Sequence, residues 1–255
     1  MTRTLVLIAG ASFVLAVACL SGAAGLGWNG VHRHGWGHNW NIDFNDDHGQ
    51  RWIRHVETGD DASGVTATRE IAWTGGSEFD NDISADVQFT QAPGPAKLVV
   101  TGPKDAVDHI VLNGSHLDFE GDGEFNGPVK VTLTAPDVRH FGLSGSGDLT
   151  IANYAQDDLD IEVSGSGDVT GSGKAKSVKL GISGDSNVDL GALAADSAQA
   201  EISGSGKATI APTAAADLHI SGDGEIDLKT HPATLNSDVS GSGRIVEGDS
   251  GAKPS

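Results

Sequence analysis

The phrases Leu143-Ser-Gly-Ser-Gly-Asp-Leu149, Val163-Ser-Gly-Ser-Gly-Asp-Val169 and Ile182-Ser-Gly-Asp-Ser-Asn-Val188 open a repeat that decides the fold. Three further copies follow, and the serines after the first apolar residue of each copy are 20, 19, 20, 18 and 19 residues apart. A period this constant is typical of a solenoid, in which each repeat stacks on its neighbours.

Each copy alternates apolar and polar residues. If the apolar residue before the marker serine is position 0, apolar residues also fall mostly at −4, −2, +6 and +8. This alternation is typical of strands that bury one face. The sequence therefore predicts an all-β, parallel β-helix-like solenoid with coils of about 19–20 residues and an aliphatic core. Position 0 is aliphatic in all six copies: Leu143, Val163, Ile182, Ile202, Ile220 and Val239.

Glycine marks the corners of the predicted coils. It occupies position +2 in every copy and position +4 in all but one, where Ser186 stands instead. Both positions have the inward parity, so we expect the chain to turn there. A Cβ would enter the narrow end of the core or require an unfavourable positive φ.

Upstream of the repeat the pattern is less regular. Residues 117–125 form a degenerate copy, whose Phe119 precedes Leu143 by 24 residues, and an added strand follows at 129–133. Residues 85–89 and 97–101 alternate around Ala92-Pro93-Gly94-Pro95, which predicts a hairpin. We expect this region to belong to the same β-domain and to close its N-terminal end.

The chain divides into four predicted segments. Residues 1–24, with Arg3 before an apolar run and small residues at its end, predict a secretory signal peptide. Residues 25–65 form an irregular leader rich in His, Trp and Gly, residues 66–248 the β-helical domain, and residues 249–255 a disordered tail. We therefore expect an extracytoplasmic protein, in the periplasm or at the outer membrane and cell surface.

Two candidate sites lie in these first segments. Cys19 ends Leu15-Ala16-Val17-Ala18-Cys19, which resembles a lipobox and makes Cys19 a candidate for lipidation, although the small residues also suit ordinary signal peptidase. His32, His34 and His38 lie within seven residues and are candidate metal ligands, the alternative being a solvated linker.

Charge excludes several classes of partner and ligand. The formal charge is −19, which opposes binding to nucleic acid. Gly and Asp also recur in calcium-binding β-rolls, but a continuous calcium ladder would need one sign of charge along a column. Position +5 changes sign along the repeat: Asp148, Asp168, Asn187, Lys207, Glu225 and Arg244. No cofactor is predicted.

The leading block Ser77-Glu-Phe79-Asp-Asn-Asp-Ile83-Ser-Ala-Asp-Val87-Gln-Phe89, the segment 117–119 and the serial Ser-Gly-Ser-Gly-Asp phrases resemble a known family. Over residues 70–247 the chain is similar to the autotransporter-adhesin head family of bacterial envelope proteins, known as the GIN domain. The resemblance implies an extracytoplasmic β-helical domain of Gram-negative bacteria without established catalytic residues.

The expected function is therefore non-enzymatic: a rigid acidic β-helix in the cell envelope, acting in adhesion, scaffolding or glycan contact. One alternative is a carbohydrate-active β-helical enzyme, a polysaccharide lyase or hydrolase, for which Asp157, Asp158 and Asp160 would supply carboxylates. The other is metal binding through the leader. We expect an envelope or surface partner, such as a glycan, and membrane contact only through a lipid anchor.

Overall fold

The computed structural model describes residues 43–45, 51–53, 65–121 and 127–248. All of them belong to the unit 39–255. Within the range predicted as a leader, β1 (Asp43–Asn45) and β2 (Arg51–Ile53) pair antiparallel, with Asp43 opposite Ile53. The boundaries of the four predicted segments stay a prediction.

The other elements form one connected β-structure and one short helix, α1 (Lys104–His109). The strands before the regular repeat are β3 (Thr66–Ile71), β4 (Glu78–Asn81), β5 (Asp86–Gln91), β6 (Lys97–Pro103), β7 (Ile110–Asn113), β8 (His116–Phe119) and β9 (Lys130–Ala135). The strands of the repeat are β10 (His140–Gly145), β11 (Leu149–Ala155), β12 (Asp158–Gly165), β13 (Val169–Gly184), β14 (Asn187–Gly204), β15 (Lys207–Ile210), β16 (Pro212–Gly222), β17 (Glu225–Leu228), β18 (Thr234–Gly241) and β19 (Arg244–Glu247).

Parallel pairing arranges these strands in two stacks. Stack A runs in the order β8, β4, β10, β12, the C-terminal halves of β13 and β14, β16 and β18. Stack B runs β9, β5, β11, the N-terminal halves of β13 and β14, β15, β17 and β19. The predicted parallel β-solenoid is confirmed.

The register confirms the predicted core columns. Leu143 is opposite Val163, Val163 is opposite Ile182, and Ile182 is opposite Ile202. All four side chains are at most 5% exposed. Each aliphatic side chain therefore packs between its counterparts in the coils above and below, which is where apolar burial stabilises the solenoid.

The corner glycines have the predicted conformation. All six glycines at position +2 have positive φ, between 117° and 150°. At Gly204, a Cβ would lie 2.6 Å from the carbonyl oxygen of Gly184 in the preceding coil. At position +4, a Cβ on Gly206 would lie 2.7 Å from Cγ2 of Ile182. Only glycine lets the backbones of successive corners approach this closely.

The predicted hairpin around residues 92–95 is wrong. Strand β9 pairs parallel with β5 on one side and antiparallel with β6 on the other, so it separates the two predicted hairpin strands. The second edge of β5 is occupied by β11. Pairing on both edges buries Val87 and Phe89, at 2% and 0% exposure, between the core residues of β9 and β11.

The predicted position of the degenerate copy is also wrong. The coil formed by β4 and β5 lies between residues 116–135 and the coil that begins at β10. Leu117, not Phe119, occupies the position-0 column, because it is opposite Asn81 and Asn81 is opposite Leu143. Spacing along the chain predicts the order of the coils only if they stack in chain order. Here the rings of Phe89 and Phe141 pack with centroids 5.0 Å apart and join two coils that are neighbours in the stack but not consecutive in the chain.

The N-terminal end of the solenoid is covered, as expected. Strands β6 and β3 extend stack B in antiparallel pairing, and β7 pairs antiparallel with β8 in stack A. Helix α1 connects the two sides and buries Ala106 and Val107 completely. Buried Arg69 fixes this helix, since its Nη1 donates to the carbonyl oxygen of Val107 at 3.0 Å. None of the helical residues described here forms a segment long and apolar enough to span a bilayer.

Candidate binding surfaces

The predicted metal ligands His32, His34 and His38 and the candidate lipidation site Cys19 lie outside the described residues. Both sites therefore stay predictions. Within residues 65–121 and 127–248, no group of three or more His, Cys, Asp or Glu side chains has an arrangement that would hold a metal ion.

The acidic segment at the start of β12 forms ion pairs between coils. Asp157 accepts a hydrogen bond from Lys176 Nζ at 2.8 Å, which raises the pKa of Lys176. Asp160 lies 3.3 Å from Lys179 Nζ, and Leu159 between these carboxylates is buried in the core. Two of the three carboxylates that the enzyme alternative requires, those of Asp157 and Asp160, are thus bound to cations of the next coil.

Carboxylates at position +5 have a structural role in the first coils. Asp86 Oδ1 accepts the backbone N–H of Asp148 at 3.3 Å, Asp148 Oδ1 that of Asp168 at 3.0 Å, and Asp168 Oδ1 that of Asn187 at 3.2 Å. Further along, Glu225 bonds Lys207 Nζ at 2.6 Å and also pairs with Arg244. Position +5 therefore has two roles along the solenoid. In the first coils its carboxylates accept backbone N–H groups, and further along its side chains form ion pairs.

The outward side of stack A is strongly acidic, and we call it the acidic face. Its charged and titratable side chains are Glu78, Asp80, Asp118, Asp158, Asp160, Glu162, Glu201, Asp217, Asp238, Lys179, His116, His140 and His219. Three of the five histidines in the described part of the chain lie on this face, each within ion-pair distance of a carboxylate.

Asp80 is the centre of this face. One of its carboxylate oxygens lies 3.6 Å from His116 Nε2 and the other lies 3.6 Å from His140 Nε2. Ser115 Oγ donates to Asp80 Oδ2 at 3.1 Å. Gly142, opposite Asp80 on β10, leaves the necessary space, because a Cβ there would overlap Asp80 Oδ1.

The same cluster holds His116 in a second contact. Its Nδ1 lies 3.1 Å from Asp82 Oδ2, and this hydrogen bond, followed by the charge of Asp80, raises the pKa of His116 above its ordinary value. On the other side, His140 Nδ1 lies 3.4 Å from Asp160 Oδ2. The two histidines and three carboxylates thus form a continuous row across β8, β4, β10 and β12.

On the outward side of stack B, the middle of the first four strands, β9, β5, β11 and the N-terminal half of β13, is uncharged, and we call this part the threonine face. Its side chains are short and uncharged: Gln88, Thr90, Thr132, Thr134, Thr150 and Thr170. Successive coils bring Thr150 and Thr170 together, with their hydroxyl oxygens 3.4 Å apart. Within residues 65–121 and 127–248, every Phe, Tyr and Trp side chain is buried or half-buried, so this face offers hydroxyl and amide groups rather than their rings.

Sequence reasoning did not single out Asp80, His116 or His140. Their outward parity is visible in the sequence, but their contact depends on β4 lying between β8 and β10. That order is set by packing and not by the repeat period.

The fold and its surfaces define a class: a parallel β-solenoid that presents flat, polar strand faces. The chain belongs to the family described as "Putative auto-transporter adhesin, head GIN domain", whose model matches residues 81–232. The resemblance inferred from the sequence is confirmed, and the adhesin-head description is that of a surface-associated, non-enzymatic domain.

A solved structure shares this fold, and a second is reported with it. A "putative adhesin" from Bacteroides fragilis NCTC 9343 is 23% identical, with a TM-score of 0.58 over 71% of this chain and 96% of its own. A "Putative lipid binding protein" from Parabacteroides distasonis ATCC 8503 is 19% identical, with a TM-score of 0.47 over 74% of this chain and 98% of its own. No protein with a curated description matches the chain.

Proposed function

We propose that this protein is a non-enzymatic, exported envelope protein of a Gram-negative bacterium, whose rigid acidic solenoid acts in adhesion, scaffolding or glycan contact. The family description supports the adhesin role. The observation that carries the proposal is the array of short polar side chains on the threonine face, whose positions are fixed by the register of the strands. Binding then costs little ordering entropy, because the groups that contact the partner are already held in place.

The threonine face is the surface that we assign to glycan contact. Its hydroxyl and amide groups both donate and accept hydrogen bonds, as sugar hydroxyls require. It also lacks the carboxylates of the acidic face, which would repel acidic polysaccharides. The expected partner is therefore an extended glycan of the envelope or of another cell surface.

A glycan array tests this assignment with the mature, full-length chain. The double variant Thr150→Val, Thr170→Val removes two hydroxyl groups from the threonine face without adding charge, and it should reduce binding at least about tenfold. Glu201→Lys on the acidic face is the matched control and should retain binding. Equal binding by the wild type and the double variant would contradict the assignment.

The enzyme alternative has a direct test. In the structure, the carboxylates at residues 157 and 160 pair with lysines. We therefore expect no new reducing ends or unsaturated products when the mature chain is incubated with uronic-acid and neutral polysaccharides. Depolymerisation that is lost in an Asp157→Asn, Asp160→Asn variant would overturn the non-enzymatic proposal.

Two further tests concern the N-terminal segments. Zinc titration of the mature chain, with and without residues 25–60, tests metal binding through His32, His34 and His38, because equal binding by both would dismiss it. Mass analysis of the mature N-terminus distinguishes an acylated Cys19, anchored in the membrane, from simple export after residue 23 or 24. We propose the periplasm or the outer membrane and cell surface as the location, with no nucleic-acid partner.

A further inference from the structure

On the stack A side, the junction between β8 of the N-terminal cap and β4 has little backbone pairing, although β9 and β5 share six register pairs on the stack B side. Strands β4 and β8 share only two register pairs, Asp80 with His116 and Asn81 with Leu117, whereas β12 and β13 share eight. Two backbone hydrogen bonds accompany them, from Asp80 N to Ser115 O at 3.0 Å and from Asp82 N to Leu117 O at 3.1 Å. Side chains must therefore contribute more to the contact between β8 and β4 than to the other strand contacts of stack A.

The core beneath the junction is also weaker. Asn81 occupies the position-0 column, where the six regular copies have aliphatic residues, and it is only 2% exposed. Its Nδ2 donates to the carbonyl oxygen of Ala85 at 3.0 Å. A buried amide supplies less apolar stabilisation than Leu or Ile at the same place.

Each histidine at this junction can donate a hydrogen bond to both of its carboxylate neighbours only when its ring is protonated. Both ring nitrogens of His116 face carboxylates, Asp82 at 3.1 Å and Asp80 at 3.6 Å. Both ring nitrogens of His140 do the same, with Asp160 at 3.4 Å and Asp80 at 3.6 Å. A neutral imidazole has one N–H and one lone pair, so only the imidazolium presents an N–H to both carboxylates.

The surroundings make the neutral state unfavourable. The carboxylates of Glu78, Asp118 and Glu162 lie on the same strands as this row, and Asp82, which belongs to the row, directly follows β4. Lys179 is the nearby cation, 3.3 Å from both Asp160 and Glu162, and Arg139 pairs with Asp137 just before β10. When both histidines are neutral, the negative carboxylates on β8, β4 and β12 face one another.

We propose that His116 and His140 form a clasp that links β8, β4 and β12 through Asp80, and that protonation of His116 strengthens the contact between β8 and β4. Protonation of His116 tightens β8 against Asp80 on β4. Loss of this proton leaves Asp80 and Asp82 unneutralised beside β8, and β8 separates from β4 more often.

The direction of the pH effect follows from His116. Its pKa is raised in the folded state, above about 6.5 in the unfolded chain. Its stabilising contribution is therefore fully present below the unfolded-state value and is lost as the pH rises through the folded-state value.

Hydrogen exchange of the full mature chain tests the clasp. The amides of Asp80 and Asp82 report separation of β4 from β8, and the amide of Glu225, bonded to Gly206 O at 3.0 Å, reports a regular coil. After correction for intrinsic exchange, protection of Asp80 and Asp82 should fall about two- to fivefold between about pH 5.5 and about pH 8, as expected for an exposed ion pair. Protection of Glu225 should not change.

Variants separate the clasp from a general pH effect. The double variant His116→Gln, His140→Gln should abolish the pH dependence at Asp80 and Asp82. His219→Gln is the matched control, because only Nε2 of His219 faces a carboxylate, Asp217 at 3.3 Å on its own strand. Persistence of the wild-type pH dependence in the double variant would overturn the proposal. Should that variant fail to fold, an equal pH response at Asp82 and Glu225 in the wild type would overturn it.

Discussion

Each corner glycine at position +2 lies against a carbonyl oxygen that is already in use. At Gly204, the neighbouring oxygen is that of Gly184, which accepts the N–H of Ser205 at 3.2 Å. The same bond recurs from Ser166 to Gly145 and from Asp223 to Gly204, each at 3.0 Å. A side chain at position +2 would therefore disturb both the corner conformation and the hydrogen bond that links two coils.

Gly204→Ala should destabilise the protein by about 2–4 kcal/mol. The φ of +131° strains any residue with a Cβ, and the added atom would lie 2.6 Å from Gly184 O. Urea unfolding followed by far-UV circular dichroism measures the change. Ser205→Ala, at the adjacent exposed position, should stay within about 0.5 kcal/mol, and a larger loss there than at Gly204 would contradict the corner assignment.

Ser186 is the one residue at position +4 of the six copies that is not glycine, and its role can be tested separately. Its side chain is completely buried and its Oγ donates to the carbonyl oxygen of Gly165 at 3.0 Å. Ser186→Ala keeps the Cβ but removes this donor, so it should cost about 1 kcal/mol in the free energy of unfolding. Ser183→Ala, three residues earlier on β13 and exposed, is the control and should be near neutral. Equal losses in both variants would show that the buried hydrogen bond contributes nothing.

At the scale of the element, the carboxylates at position +5 join consecutive strands. Asp168 Oδ1 accepts the N–H of Asn187, which opens the next coil in stack B. Asp168→Ala should lower the free energy of unfolding by about 1 kcal/mol, whereas Asp168→Asn keeps an acceptor oxygen and should recover most of it. Thermal melts of both variants measure the difference, and equal melting temperatures for the two would exclude the hydrogen bond as the cause.

The regular elements could be predicted from the sequence because each repeats a local pattern. The alternation of apolar and polar residues predicts the buried face of β10 to β17, and the glycines predict the corners, because both patterns involve residues only a few positions apart. The order of β8, β4 and β10 could not be predicted, because it depends on Phe79 and Phe89 packing in columns with residues about 60 positions away. The acidic cluster around Asp80 escaped prediction for the same reason.

At the scale of the whole molecule, the two ends of the solenoid differ. Helix α1 and the antiparallel strands cover the N-terminal end, where Ala106 and Val107 are fully buried. In the last coil, Val239 is 40% exposed and Val246 is 39% exposed, although Val239 continues the position-0 column below Ile220. Because each coil is stabilised by its neighbours, the last coil should open with a lower free energy than the middle of the stack.

Two valines in the same column test this difference, because the substitution is identical and only the position along the solenoid changes. Val163 lies between Leu143 and Ile182 and is 2% exposed, so Val163→Ala should cost about 2 kcal/mol or more, from lost burial and the cavity left behind. Val239→Ala removes the same two methyl groups from a half-open site and should cost below about 1 kcal/mol. Hydrogen exchange should also be fastest in β18 and β19 in both variants, since opening begins at the exposed end. Equal losses of unfolding free energy at the two positions would mean that the last coil is covered as well as the middle ones are, and that the solenoid does not open from this end.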